Sequence, residues 1–259
     1  PTGRGFGLMS PAERPLLQRY LRLTPAHEEM VGIGIDPSPE QSYPRHQQDP
    51  ADTVVDEENA AEDAEAKKDD SYLAGRGVPF RRRHRLYGPF ALYGGRVEPD
   101  NGCEEMFEYF DTFSSTDGDT SLVLMGVKMM KVPEDPSVRL AVVLPERERM
   151  IAFEAADVTI APTARDLLAQ PVLESLAVGT PVIASARNES AVDHCRRANA
   201  GLYYANRDEF VEALRLLMTN KRLRERLGEN GRNYIRQNYG WDAVLGRFDR
   251  LVTRVRNRV

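Results

Sequence analysis

Residues 158–185 read VTIAPTARDLLAQPVLESLAVGTPVIAS. Val158–Thr163 and Pro181–Ser185 are short apolar runs without polar alternation, the signature of strands covered on both faces, and 171–178 between them reads as a helix. Strands joined by such a crossover run parallel. The same alternation extends in both directions. Upstream lie the strand-like runs Ala91–Val97, Ser121–Val127 and Val138–Leu144, with helices predicted at 102–113 and 146–156. Downstream come a helix at 189–198, the run Gly201–Ala205, and helices at 207–219, 221–238 and 241–257. Met106, Phe107, Phe110 and Phe113 fall on one side of the first helix. The expected fold is α/β: a doubly wound, Rossmann-like parallel sheet with helices on both faces.

Open sheets of this kind bind ligands beyond the carboxyl ends of their strands, where loops enter helix N-termini that favour anions. This singles out Gly94-Gly95-Arg96 after the first strand, the 163–171 loop after the fourth, and the helix that carries Glu174. Read alone, Glu174 is equally a capping or solvent-facing carboxylate, and Arg96 a surface arginine. The double glycine before Arg96 favours close approach of backbone to a ligand.

This domain is expected to span 84–259. Ahead of it, residues 36–83 are rich in Pro, Gln, Asp, Glu and Ala and poor in aliphatics, most plainly up to Gly77. Such a segment cannot offset roughly 1–2 kcal/mol of backbone entropy per residue, and reads as a disordered acidic linker or insertion. Within 1–35, Ser10, Pro11 and Glu13 have the spacing of a helix start with a capping box, and Met30–Ile35 reads as a strand. Gly3–Gly7 mimics part of a dinucleotide loop, but no strand precedes it, so it is assigned to flexible chain.

The formal charge of −5 conceals an uneven distribution. Asp49–Asp70 holds ten acids against Lys67 and Lys68, a net −8, which leaves +3 for the rest. A mildly cationic fold suits a small anionic ligand and falls far short of the basic footprint of a nucleic-acid binder. No apolar run approaches the roughly 20 residues that cross a bilayer, and no hydrophobic leader opens the chain, so the expected location is the cytoplasm. Cys103 and Cys195 have no partner at a metal-ligand spacing, so neither a disulfide framework nor a metal site is expected.

Several motifs form an ordered series. Ala91-Leu92-Tyr93-Gly94-Gly95-Arg96-Val97-Glu98-Pro99-Asp100-Asn101-Gly102 resembles the "YVGR-x-x-P-x-K-G" entry to the donor domain of family 4 retaining glycosyltransferases. Phe153-Glu154-Ala155-Ala156-Asp157-Val158 is similar to that family's "AAADV", and Pro171–Ala184 to its "PVLEAMACGTPVVA". Ala200–Tyr204 resembles its "AGLLV" strand, and Leu223–Arg232 its "LGxxGR" helix. The series covers roughly 85–250, and residues 9–35 resemble the passage leaving the family's first domain. The resemblance implies the second, donor-binding half of a two-domain GT-B fold, with 1–35 as a remnant of an acceptor domain that is otherwise missing.

The resemblance also implies a function: transfer of a hexose from a nucleoside diphosphate sugar, such as a UDP- or GDP-sugar, with retention at the anomeric carbon. It implies no cofactor or metal beyond the donor. Arg96 would pair with the diphosphate as a bidentate guanidinium. Glu174 would accept from the ribose hydroxyls, and Asp166, at the first acid of an E-x7-E motif, would contact the transferred sugar. Gly95, Asn101, Ala169 and Gln170 complete the implied donor site. Three departures stand out. Asn101 replaces the lysine that supports the diphosphate; Asp166 is one methylene, about 1.5 Å, shorter than glutamate; and Leu167-Leu168-Ala169 replaces a glycine-containing loop. Two readings therefore remain open: an enzyme, inactive as this fragment alone, or a non-catalytic nucleotide-sugar-binding or scaffold domain derived from one.

Other features are read structurally. Neighbours on a helix point apart, so Asp193-His194-Cys195 is not a catalytic set. Asn188-Glu189-Ser190 fits a glycosylation acceptor and is expected to be unused. The clusters Arg81–Arg85 and Arg247, Arg250, Arg254, Arg256 and Arg258 read as solvated helix faces, with peripheral contact to an anionic membrane or lipid-linked acceptor as the lesser expectation.

Overall fold

The computed structural model describes residues 6–8, 13–15, 28–30, 32–35, 77–141 and 143–256. Its centre is a six-stranded, wholly parallel sheet of β3 (Phe90–Gly94), β4 (Ser121–Met125), β5 (Val138–Leu140), β6 (Val158–Ala161), β7 (Val182–Ser185) and β8 (Gly201–Tyr204). The strands lie in the order β5-β4-β3-β6-β7-β8. The chain thus works outward from β3 to one edge, then returns to the middle at β6 and works outward the other way. The carboxyl ends of β3 and β6 flank the reversal, the place where an open α/β sheet leaves a crevice.

Helices cover both faces. On one lie α2 (Cys103–Asp117) and α6 (Arg207–Thr219), burying Phe107, Phe110, Phe113, Phe210 and Leu214 against β3, β4 and β6. On the other, α1 (Val78–Arg83), α3 (Glu146–Ala155), α4 (Gln170–Val178), α5 (Glu189–Ala198) and α7 (Lys221–Asn238) enclose Phe90, Leu92, Phe153, Leu173 and Leu176. Asparagines start three of these helices, as their short amide side chains favour. Asn188, Asn206 and Asn220 accept from the backbone N–H of Ala191, Glu209 and Leu223, each at 3.0 Å. The Glu209 carboxylate in turn accepts from Ala205 N at 2.7 Å, which fixes the turn out of β8.

The strands expected to be buried on both faces are so in the middle of the sheet. At the edges they are not: Val138 and Arg139 are half-buried, Leu140 is exposed, and β8 is covered fully only at Tyr204. An edge strand has one neighbour and ends early, so Val138–Leu144 contracts to three residues.

Two boundaries also need correction. The acidic linker assigned to 36–83 ends before Val78, because α1 packs Phe80 and Arg81 into the domain. Arg81, read as part of a solvated cluster, is buried. Its Nη2 donates to Ala155 O at 2.6 Å and Asp157 Oδ2 at 3.1 Å, while Arg224 of α7 reaches Asp157 Oδ1 at 3.4 Å. Two guanidiniums on one buried carboxylate satisfy a charge that would be costly alone. Secondly, the strand near residue 30 is Glu28–Met30 (β2), pairing in parallel with β1 (Phe6–Leu8); the segment Gly3–Gly7, read as flexible, thus contributes Phe6 and Gly7 to a strand. The sequence reading makes Met30–Ile35 one strand, but Gly32–Ile35 is not strand. Gly32 donates to Leu8 O, and Ile35 to Tyr239 O at the end of α7. The proposed Ser10 cap lies outside the described residues.

The last helix, α8 (Trp241–Arg256), buries Val244 and Leu251 and leaves Trp241, Leu245, Phe248 and Val252 exposed along one side. Arg250 and Arg254 pair with Glu29 of β2 at 3.5 and 2.7 Å, so these arginines are engaged rather than free. No helix among the described residues is long and apolar enough to cross a membrane.

His194 on α5 is sealed beneath α7, its Nδ1 3.0 Å from the Tyr234 hydroxyl, and burial depresses its pKa from 6.5 to about 4. The unfolded chain therefore binds a proton that the folded one refuses between those values. The corresponding stability is complete above about pH 6.5 and is lost as pH falls toward 4, by up to about 3 kcal/mol. Denaturant titrations at pH 7 and pH 4.5 are expected to show a steeper loss in the wild type than in His194→Gln. Equal losses would mean that His194 is not the group responsible.

Candidate functional site at the strand reversal

The crevice is walled by the loops after β3 and β6. The first is anchored by continued pairing with the chain beyond β4: Gly95 donates to Met125 O at 2.9 Å, Val97 to Val127 O at 2.8 Å, and Met129 to Val97 O at 2.9 Å. Tyr93 Oη and Asn101 Nδ2 both donate to Arg96 O, at 2.7 and 3.0 Å, which closes the loop on itself. Arg96 points outward, its side chain 68% exposed and its Nε 3.9 Å from Glu98 Oε1. Asn101 also donates to Glu98 Oε1 at 2.9 Å.

A short 3₁₀ turn, Pro99–Asn101, leads through Gly102 into α2. Gly102 has φ 73°, and a Cβ there would lie 2.8 Å from Pro162 O, so only glycine lets the two loops meet this closely. Thr163 Oγ1 donates to Asn101 O at 3.4 Å from the β6 side. Asn188 and Ser190, at the start of α5, hold the second loop from behind through Thr163 O at 2.7 Å and Leu167 O at 2.9 Å. The triplet that resembles a glycosylation acceptor is thus a buried clamp, with Asn188 and Ser190 each 3% exposed.

Asp166 folds back on its own loop, Oδ1 accepting from Leu168 N at 3.1 Å and Ala169 N at 2.8 Å. Ala169 sits at φ 48°, ψ 41°, the left-handed conformation that glycine adopts without cost, and its carbonyl receives the first N–H groups of α4.

Glu174 is set into α4 facing α3. It is only 5% exposed, and Ser175 beside it locks the helix to the sheet through Thr159 Oγ1 and Thr180 O, both at 2.8 Å. Arg149 Nη2 donates to Glu174 Oε1 at 2.6 Å and Gln170 Nε2 to the same oxygen at 2.8 Å. Oε2 takes neither bond and is not sealed from solvent. Burial pushes the Glu174 carboxyl above its ordinary range, and Arg149 pulls against that rise. The sequence-predicted residues thus fall into three groups: Arg96 with Asn101 on the β3 loop, Asp166 with Ala169 on the β6 loop, and Gln170 with Glu174 on α4. Among the described residues, no hydrogen bond or ion pair links Arg96, Asp166 and Glu174 to one another.

A family model described as glycosyl transferases group 1 matches residues 79–234. The chain belongs to that family. Its fold is the Rossmann-like α/β fold of GT-B glycosyltransferases, as three solved structures illustrate. Sucrose-phosphate synthase from Thermosynechococcus elongatus matches with TM-score 0.67 and 18% identity, over 98% of this chain and 59% of that one. The C-terminal domain of a glycosyl transferase group 1 family protein, LpcC, from Francisella tularensis matches with TM-score 0.55 and 15% identity, over 64% of this chain and 94% of that one. Anabaena Alr3699/HepE in complex with UDP matches with TM-score 0.61 and 10% identity, over 69% of this chain and 52% of that one. This group 1 chain therefore spans 59% of the synthase and matches nearly all of an isolated C-terminal domain. No curated protein matches it significantly.

Sequence reasoning gave Arg149 no role in this group 1 chain, took Thr163 only as the start of the second loop, and read Asn188 and Ser190 as an unused glycosylation acceptor. Arg149 carried no signal of its own, being one of four consecutive charges, Glu146-Arg147-Glu148-Arg149, on a predicted surface helix. Among the described residues no group of three or more His, Cys, Asp or Glu could hold a metal ion.

Proposed function

We propose that this chain is the donor-binding half of a retaining glycosyltransferase that moves a hexose from a nucleoside diphosphate sugar to a saccharide or lipid-linked acceptor. The observation that carries the reading is Glu174: a buried carboxylate beside the strand reversal, with one oxygen tied down and the other open. An oxygen held in this way is ready to accept from a hydroxyl without first shedding its own partner. The Anabaena structure, a complex with UDP, supports a nucleotide as the ligand.

In this reading the ribose hydroxyls lie at Glu174 and the diphosphate at Arg96, whose exposed guanidinium is held, among the described residues, only by a long contact to Glu98. The protein orients the donor and offsets charge as the phosphate leaves, and a departing phosphate oxygen helps take the acceptor's proton. A second α/β unit would supply the acceptor side. The exposed stripe of α8, beside the β1–β2 pair, gives it a surface to cover. A cytoplasmic location, with peripheral membrane contact at the arginine-rich end, belongs to the same proposal.

The scaffold alternative draws support from two contacts. Asn101 spends its amide on Arg96 O and Glu98, and Asp166 spends an oxygen on its own loop. Asn101→Lys with Asp166→Glu is expected to tighten binding of a nucleoside diphosphate about tenfold by restoring one cation beside the diphosphate. It should also raise donor hydrolysis from UDP- or GDP-hexoses, measured with the acceptor unit present. Hydrolysis by the unmodified protein would eliminate the scaffold reading, whereas unchanged affinity in the double variant would remove residue 101 from the phosphate site.

A further inference from the structure

The pairing of Glu174 is asymmetric. Both of its donors, Arg149 Nη2 and Gln170 Nε2, go to Oε1. Arg149 is committed through this single bond: its Nε is buried and without a partner among the described residues. A guanidinium gains most from a two-pronged grip on both carboxylate oxygens, and leaving a buried N–H unpaired is costly. The one-pronged grip leaves Oε2 outside both bonds.

Resting on the donor-site reading above, we propose that Arg149 is a positioning residue. It keeps Glu174 ionised and turns its free oxygen toward the ribose hydroxyls of the bound nucleotide, so that discrimination of ribose from deoxyribose depends on Arg149 although Arg149 touches no sugar atom.

Electrostatics agree with this geometry. Burial raises the Glu174 pKa, Arg149 is the largest opposing influence, and Glu146 on α3 adds to the rise. Two other charges on the elements around α4 are committed elsewhere. Arg232 of α7 bonds Val178 O at the opposite end of α4, and Asp193 of α5 pairs with Arg197. The strand beneath, β6, presents the neutral Thr159, which bonds Ser175 of α4. Removing Arg149 therefore leaves a buried carboxyl flanked by a like charge, and that carboxyl will hold its proton to higher pH. A protonated, freely rotating carboxyl no longer acts as a fixed acceptor.

The test compares wild type, Arg149→Leu and Arg149→Lys. Glutamate labelled with ¹³C at the side-chain carboxyl, with the Glu174 signal assigned by its loss in Glu174→Gln, gives the titration directly. Arg149→Leu is expected to raise the proton affinity of Glu174 about tenfold, and Arg149→Lys to change it little. An unmoved Glu174 midpoint in Arg149→Leu overturns the proposal whether or not any nucleotide binds. Affinities for UDP and 2′,3′-dideoxy-UDP across pH provide the second readout. Wild type should prefer UDP; Arg149→Leu should lose about tenfold of that preference near neutrality and regain it as pH rises; Arg149→Lys should retain it. The same preference in Arg149→Leu at every pH overturns the positioning role alone. Equal binding of both nucleotides by the wild type overturns the ribose reading of Glu174 itself.

Discussion

Glu174→Ala is expected to abolish the rise in melting temperature that a nucleoside diphosphate gives the wild-type protein. At a ligand concentration a hundredfold above its dissociation constant, binding to the native state adds about 2.7 kcal/mol. For a domain of this size that corresponds to roughly 5–10 °C. Truncation removes the acceptor oxygen and also leaves Arg149 without the bond it makes at 2.6 Å. The unliganded variant should therefore melt somewhat lower, and the comparison that matters is the ligand-induced shift within each protein. Glu174→Gln keeps the shape and removes the charge, so it should retain more of the fold and little of the shift. A full ligand-induced shift in the alanine variant would place the nucleotide elsewhere on the sheet.

Gly126→Ala is the substitution expected to damage the fold and the site together. Gly126 follows β4 at φ 152°, a conformation that side chains rarely allow, and an added Cβ would run into the carbonyl oxygen of Gly95. That carbonyl belongs to the loop bearing Arg96, and backbone on both sides is rigid, so no side chain can swing away to make room. Relief requires separating the two loops and breaking the bonds of Gly95 to Met125 O and Val97 to Val127 O. A cost above about 3 kcal/mol is expected from the combined overlap and backbone strain, read as a large fall in the denaturation midpoint. Nucleotide affinity should fall with it. A variant with a wild-type midpoint would show that the loops are not held together here.

Much of this architecture is written locally. The inner strands are continuous apolar runs because helices cover them on both sides, so β3, β4, β6 and β7 are recognisable from composition alone. The outer strands are less so, because Val138–Leu140 has only one neighbour and mixes Arg139 with its aliphatics. The helix Val78–Arg83 was hidden for a different reason. Its anchor is an arginine, and nothing in a run of basic residues announces that one of them will meet Asp157, 76 positions later, inside the protein. The site follows the same division. The candidates Gly95, Arg96 and Glu174, on which the proposed reading rests, come from the order of strands and loops. The partner of Glu174 could not, since Arg149 lies 25 residues upstream, and only the packing of α3 on α4 selects it from its charged neighbours. Position 101 differs again: its chemistry was visible, but the inward turn of the amide toward Arg96 O is a property of the folded loop.

The Ser175 hydroxyl bridges Thr159 on the neighbouring strand and the carbonyl of Thr180, and the Thr180 hydroxyl in turn reaches Phe153 O at 2.6 Å. Apolar surfaces tolerate sliding, whereas a dry chain of directional bonds fits at one setting only. These three residues index the helix like a dowel in a drilled hole, fixing how far its adjacent acid stands above the sheet. Depth of that acid and durability of the fold are thereby separable properties, since the greasy contacts that supply most of the second do little to specify the first.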